Sequence, residues 1–252
     1  MTAPSIDIIY EDGEALVINK PSGMPVDRPR RGGMCLEDHL DSLRFGFQRL
    51  PLPVHRLDTD TSGCLLLARN PKAHKRFARS FEEKLVTKSY IAILDGVPES
   101  ESGTIELALS KISSEAKGWR MIAAKKGKPS VTHWERIAVL DGPMATKRSV
   151  LRFRPETGRT HQLRIHALAG LDIPLLGDPI YGSGKGAPRT MLHAESLLMP
   201  RANKPPIVAT APIPGDFRAA GYEADSLPEP VFDTGLDSGL DSGRDTMAQS
   251  DE

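Results

Sequence analysis

His55-Arg56-Leu57-Asp58-Thr59-Asp60-Thr61-Ser62-Gly63 brings an imidazole, a guanidinium, two carboxylates and three hydroxyls into nine consecutive residues. Apolar runs flank it, so it reads as a loop between buried elements, the usual place for side chains that act rather than pack. A carboxylate such as Asp58 or Asp60 can attack an electrophile or take a proton. The same residues also suit a turn in which Asp58 and Thr61 bond nearby backbone. Composition alone favours the turn, so the decision falls to the rest of the chain.

Three other constellations stop short of a mechanism. His161, His166 and His193 invite a zinc site. The first two are five residues apart rather than the helical four, and no Cys/Glu set completes a tetrahedron. Tyr181-Gly182-Ser183-Gly184-Lys185-Gly186 lacks the GxxxxGK[ST] spacing of a phosphate loop, because a glycine follows the lysine. The hydroxyls after His55 do not form a GxSxG nucleophile elbow. Metal, P-loop and serine-hydrolase chemistries are not expected.

The elements that must position the loop are mostly strands. IDIIY and ALVINK flank Glu11-Asp12-Gly13 and predict a hairpin. A loop rich in Pro, Gly and Arg runs from Pro21 to Gly33. Leu36, Leu40, Leu43 and Phe47 stand at helical spacing and predict a helix. GCLLLARN, after the polar loop, predicts a buried strand. Asn70-Pro71 is a helix start, with Asn as cap and Pro at the first helical position, and Phe77, Phe81 and Leu85 form its apolar stripe. SYIAIL, TIELAL, WRMIAA, VTHWERIAVL and SVLRFRP follow as strand-like runs. RTHQLRIHALAG predicts a second helix, with Thr160 as N-cap and Gly170 as stop. MLHAESLLMP and IVATAPIPGDF mix a short helix or strand with extended segments. Many strands and few helices predict an α+β domain around a largely antiparallel sheet.

Charge divides the chain. The 33 basic and 33 acidic residues cancel overall. Residues 222–252 hold nine acids against one arginine, a net of −8, which leaves +8 on residues 1–221. The expected organisation is a folded body over 1–221 and a tail over 222–252, whose Gly, Asp and Ser repeats predict disorder. A basic body suits a polyanionic partner, though a merely soluble basic surface is an equal reading of charge alone. There is no apolar run of about 18 residues and no secretory leader, so no membrane span is expected. Cys35 and Cys64 form no CxxC pair, and the expected compartment is the cytoplasm.

The loop and five further segments resemble, in order, the motifs of the RluA/RsuA branch of RNA pseudouridine synthases. HRLDTDTSG resembles the family's HRLDxxTSG. LVINKPSGMPV resembles its opening strand and NKPxG loop, and Lys88-Ser89-Tyr90-Ile91-Ala92 its KxYxA strand. GRTHQLRIH, LLGDPIYG and MLHA resemble its later segments. Together they span most of residues 6–217. With the catalytic motifs starting almost at once, the chain is most similar to short RluA-type members without an S4 domain.

The resemblance implies a pseudouridine synthase fold, a uridine isomerisation in structured ribosomal or transfer RNA, no DNA partner, and no metal or organic cofactor. It implies a monomer that extracts its target base by flipping it. Asp58 falls on the family's catalytic aspartate and Asp60 on a variable position. Arg164, the arginine of HQLR, is expected to pair with Asp58. Tyr90 is expected against the face of the target uracil and Leu163 packed on it. Arg56 is expected to enter the gap left by the flipped nucleotide, and His55 to shape the loop or touch phosphate. Arg164→Ala is expected to cost activity far more than stability. The competing reading is an RNA-binding or ribosome-assembly protein that keeps the fold with little catalysis.

Overall fold

A computed structural model describes residues 6–114 and 118–223. The acidic tail expected to be disordered lies, beyond its first two residues, outside the described residues. The chain opens with β1 (Asp7–Glu11) and β2 (Ala15–Lys20), then a 3-10 turn (Leu36–His39) and the short β3 (Leu52–Pro53). The buried β4 (Ser62–Ala68) leads into α1 (Pro71–Glu82) and β5 (Thr87–Leu94). A meander follows: β6 (Ser102–Ser114), β7 (Gly118–Ala123), β8 (Lys128–Asp141) and β9 (Lys147–Pro155). Then come α2 (Gln162–Leu171), β10 (Leu192–Met199), β11 (Ile207–Thr210) and α3 (Gly215–Ala219).

All eleven strands join one sheet, ordered β1-β2-β4-β10-β5-β9-β8-β6-β7, with β11 added to β10 and β3 to β4. Every pairing is antiparallel except β4 with β10, a parallel contact of two residue pairs, Ser62 with His193 and Gly63 with Ala194. This is the mixed, mostly antiparallel sheet that the run of strands predicts.

The hairpin β1–β2 closes on Asp12, whose carboxylate accepts the amides of Glu14 and Ala15, both at 2.8 Å. Asn70 caps α1 by accepting the Ala73 amide at 2.9 Å, ahead of Pro71. Helix α1 sets Ala73 and Phe77 against Leu66 and Cys64 of β4. Leu85, expected on the same stripe, lies beyond the helix end and is exposed. On the other face of β2 and β4, Leu36, Leu40, Leu43 and Leu57 cover Leu16, Ile18, Leu65 and Leu67. Helix α2 lays Leu163 and Ala167 on Ala92, Leu151 and Phe153 of the second half of the sheet.

Two helix expectations need correction. Residues 36–47 form one 3-10 turn over Leu36–His39 and further turns rather than a helix, and Phe45 and Gly46 take positive φ (47° and 86°). Leu36, Leu40 and Leu43 are buried all the same, while Phe47 is exposed. Helix α2 is capped by His161, in the left-handed region at φ 52°, rather than by Thr160. It runs past Gly170 to Leu171, and Asp172, at φ 57°, ends it. MLHAESLLMP resolves as strand β10.

Candidate active site

The β3–β4 loop is pinned by its backbone, which leaves Asp58 free to present its side chain. Lys20 Nζ, buried, donates to the carbonyls of Pro21, Met24 and Thr59 at 2.8, 2.9 and 3.1 Å. The Gly23 amide also donates to Thr59 O, and Arg189 and Ser22 donate to Asp60 O. Thr61 N closes the turn on Asp58 O at 3.1 Å. Gly63 then enters β4 at φ 103°, so close to β10 that a Cβ would stand 2.2 Å from Ala194 O. Only glycine tolerates both the conformation and the approach.

Asp58 lines a hollow of about 100 Å3 together with Tyr90, Leu163, Arg164, His161 and Leu192. Asp60 does not line it. Arg164 Nη1 stands 3.4 Å from Asp58 Oδ2, so the structure brings the two expected partners together. The closer partner of Arg164 is Asp178, unremarked in the sequence reading. Its carboxylate accepts Arg164 Nε and Nη2, both at 2.7 Å, and the amides of Ile180 and Tyr181. Asp178 is fully buried. Burial alone would raise its pKa, but Arg164 and the two amides hold it below the usual carboxylate range. In the same way burial opposes the Arg164 charge and Asp178, with Asp58, restores it. The guanidinium is thus a fixed cation with one edge on Asp178 and one corner toward Asp58.

Tyr90, on β5, is half-buried between the two halves of the core. Desolvation, then the nearby Asp58, pushes its phenol pKa up. Leu163 is buried in the wall of the hollow. Arg56 stands out at the rim, its side chain 76% exposed, paired with Asp27 at 2.8 Å. His55 faces inward. Its Nε2 accepts the Leu66 amide at 3.0 Å and its ring stacks on Phe81. Burial lowers its pKa to about 3, so it shapes the loop as a neutral ring and offers no charge to phosphate.

His161, weighed at first only as a zinc ligand, lies at the site, with Nε2 3.8 Å from Asp58 Oδ2. Gln162 is structural. Its side chain bonds Thr157 Oγ1, the Arg159 amide, Val131 O and Thr132 Oγ1, which fixes the turn that feeds α2. His166 bonds Ser130 and His193 bonds Ser62. No cluster of three or more His, Cys, Asp or Glu able to hold a metal lies among the described residues.

The hollow opens into a wider groove of about 730 Å3. Arg56, Lys84, Lys88, Lys111 and Arg159 line it, and Trp119 stands at its edge, 47% exposed. Such a groove of cations with an aromatic suits a phosphate backbone and unstacked bases.

A family model described as RNA pseudouridylate synthase matches residues 14–169. An uncharacterized RNA pseudouridine synthase of Zymomonas mobilis is 54% identical over 217 residues, covering 85% of this chain and 97% of that protein. The dual-specificity RNA pseudouridine synthase RluA of Haemophilus ducreyi is 38% identical over 208 residues, covering 77% and 86%. Among solved structures, human RNA pseudouridylate synthase domain containing 1 matches with a TM-score of 0.70 and 32% identity, covering 85% of this chain and 87% of that one.

Proposed function

As the chain belongs to the RNA pseudouridylate synthase family and is an RNA pseudouridine synthase of the RluA type, we propose that Asp58 is its nucleophile. The reaction breaks the C1′–N1 bond of a uridine, turns the uracil and joins C5 to C1′. A proton leaves C5 and N1 ends with one, so no redox partner or hydrolysis is needed. The observation that supports Asp58 is its place: a carboxylate in a small hollow, beside a guanidinium that is itself anchored.

The other roles follow from position. Arg164, anchored on Asp178, holds the Asp58 carboxylate in place. Tyr90 and Leu163, both on the wall of the hollow, sandwich the uracil and hold the detached base. Arg56 acts in extrusion. Its pair with Asp27 is exposed at both ends, and such pairs are worth about 0–1 kcal/mol. The guanidinium can therefore leave Asp27 for the gap in the RNA stack, where flipping a base costs a few kcal/mol that new contacts must return.

The proposed substrate is a uridine in structured ribosomal or transfer RNA, bound by a monomer in the cytoplasm. Cys35 and Cys64 are buried free thiols, and burial pushes Cys64 up to about 12. A binder with little catalysis is not favoured, since a carboxylate set in the hollow against an anchored guanidinium adds nothing to the binding of a polyanion and serves chemistry.

The test is tritium release from C5-labelled uridine RNA, without added metal or nucleotide. The wild type releases tritium. Asp58→Asn is expected to release none while folding and RNA affinity stay as they were, and normal turnover by that variant would overturn the assignment. Mapping pseudouridines in cells with and without the gene identifies the RNA.

A further inference from the structure

Arg164 Nη1 and His161 Nε2 approach the same oxygen of Asp58, Oδ2, at 3.4 and 3.8 Å. Oδ1 has no hydrogen-bond partner among the described residues. The two donors therefore define a held side and a free side of the carboxylate.

His161 is built into that position. Its backbone takes the left-handed region, φ 52°, at the start of α2. A non-glycine residue holds such a conformation only where its surroundings impose it, and such residues gather at functional sites. Its ring stacks on Trp119, with centroids 5.1 Å apart, and meets the edge of Tyr181 at 5.6 Å. Its Nδ1 lies 2.9 Å from Tyr181 Oη.

The Tyr181 oxygen accepts the Met121 amide at 3.0 Å, which leaves its own proton for His161 Nδ1. With Tyr181 donating there, the imidazole hydrogen sits on Nε2, on the side of Asp58. The other tautomer would turn a lone pair toward a carboxylate. Desolvation lowers the His161 pKa, which agrees with a neutral ring.

We propose that His161 is a positioning residue: its Nε2–H, with Arg164, holds Oδ2 of Asp58 and turns Oδ1 toward the bound nucleoside. The separation of 3.8 Å is an approach rather than a hydrogen bond, and such contacts tighten when substrate closes the site. Tyr181 and Trp119 hold the ring with its Nε2 on the side of Asp58. The inference rests on the reading of Asp58 as nucleophile.

The experiment compares His161→Ala, Tyr181→Phe, the double variant and Asp58→Asn. Single-turnover tritium release is measured with enzyme in excess, and RNA affinity separately. His161→Ala is expected to slow the single-turnover step about a hundredfold, the loss a misplacement of about 1 Å can cause, with RNA affinity changed less than about twofold. Tyr181→Phe, which keeps the packing but releases the tautomer, gives a smaller loss, again at constant affinity. The double variant falls no further than His161→Ala alone, because Tyr181 acts only through His161.

An unimpaired His161→Ala, a loss in rate matched by a loss in affinity, or fully additive losses in the double variant would each overturn the proposal. Should His161→Ala not fold, Tyr181→Phe decides: wild-type rate overturns it. Asp58→Asn separates the two readings. If that variant is inactive while His161→Ala is normal, only the role of His161 fails. If it turns over normally, the nucleophile assignment itself fails.

Discussion

Arg164 serves two carboxylates, and they are not equals. Asp178 takes two hydrogen bonds from it in full burial, and Asp58 takes one longer contact at the edge of the hollow. Arg164→Ala is therefore expected to cost stability as well as activity, a larger share of stability than the sequence alone leads one to expect. It strands Asp178 in the core with two amides and no cation. Breaking a buried pair this way costs about 3–5 kcal/mol, which urea unfolding will show. Arg164→Lys keeps the charge but not the fork, and restores only part of it. The sign of the pH dependence follows. Asp178 is depressed in the folded state, so its stabilisation is complete above the unfolded value of about 3.9 and is lost as pH falls through the folded one. Without Arg164, acid unfolding should begin at higher pH, read by circular dichroism across an acid titration. Asp178 escaped the sequence reading for a physical reason. An aspartate followed by proline in LLGDPIYG looks like a turn former, and its partner is a helix residue that only tertiary folding brings to it.

At the scale of elements, the glycine of the HRLDTDTSG loop is a packing requirement rather than a source of freedom. The two halves of the sheet meet where β4 runs beside β10 for two residue pairs, and Gly63 is one of the four residues involved. Gly63→Ala drives a methyl into the Ala194 carbonyl and strains a positive φ. The backbone of a central strand cannot yield cheaply, so a cost above about 4 kcal/mol is expected, in the range reserved for core clashes and strained backbone. Soluble yield and melting temperature test this, and a variant melting within a few degrees of wild type would show that the junction yields. The strands themselves were legible, because alternation and short apolar runs mark buried strands directly. The 36–47 segment was not. Its leucines keep a helical interval and do reach the core, but only Leu36–His39 forms a 3-10 turn and turns follow, with positive φ at Phe45 and Gly46, and spacing carries no information about φ. The cap of α2 was misplaced by one residue for a related reason: His161 sits there in a conformation that no propensity recommends.

At the scale of the whole molecule, cations outnumber acids along the groove. Five of them, Arg56, Lys84, Lys88, Lys111 and Arg159, line the groove with three acids, Asp58, Glu82 and Glu156, and Glu156 is already bonded to His133. The zero net charge of the chain hides this, because the acids of the last 31 residues offset a basic body. That basic excess was readable from composition, but which cations line the groove needed the fold. If the groove carries the RNA backbone, each phosphate contact releases condensed counterions, and the slope of log affinity against log salt counts them. Lys111→Ala and Arg159→Ala should each weaken binding across RNA sequences and flatten that slope by about 0.7, the value for one phosphate on a single strand. Lys204→Ala is the control. That ammonium is paired with Glu14 at 3.2 Å and lies outside the groove, so its loss should leave the slope as it was. Equal effects from all three would mean that the basic body attracts RNA as a diffuse charge. An effect confined to the groove residues would fix the path of the strand past Asp58.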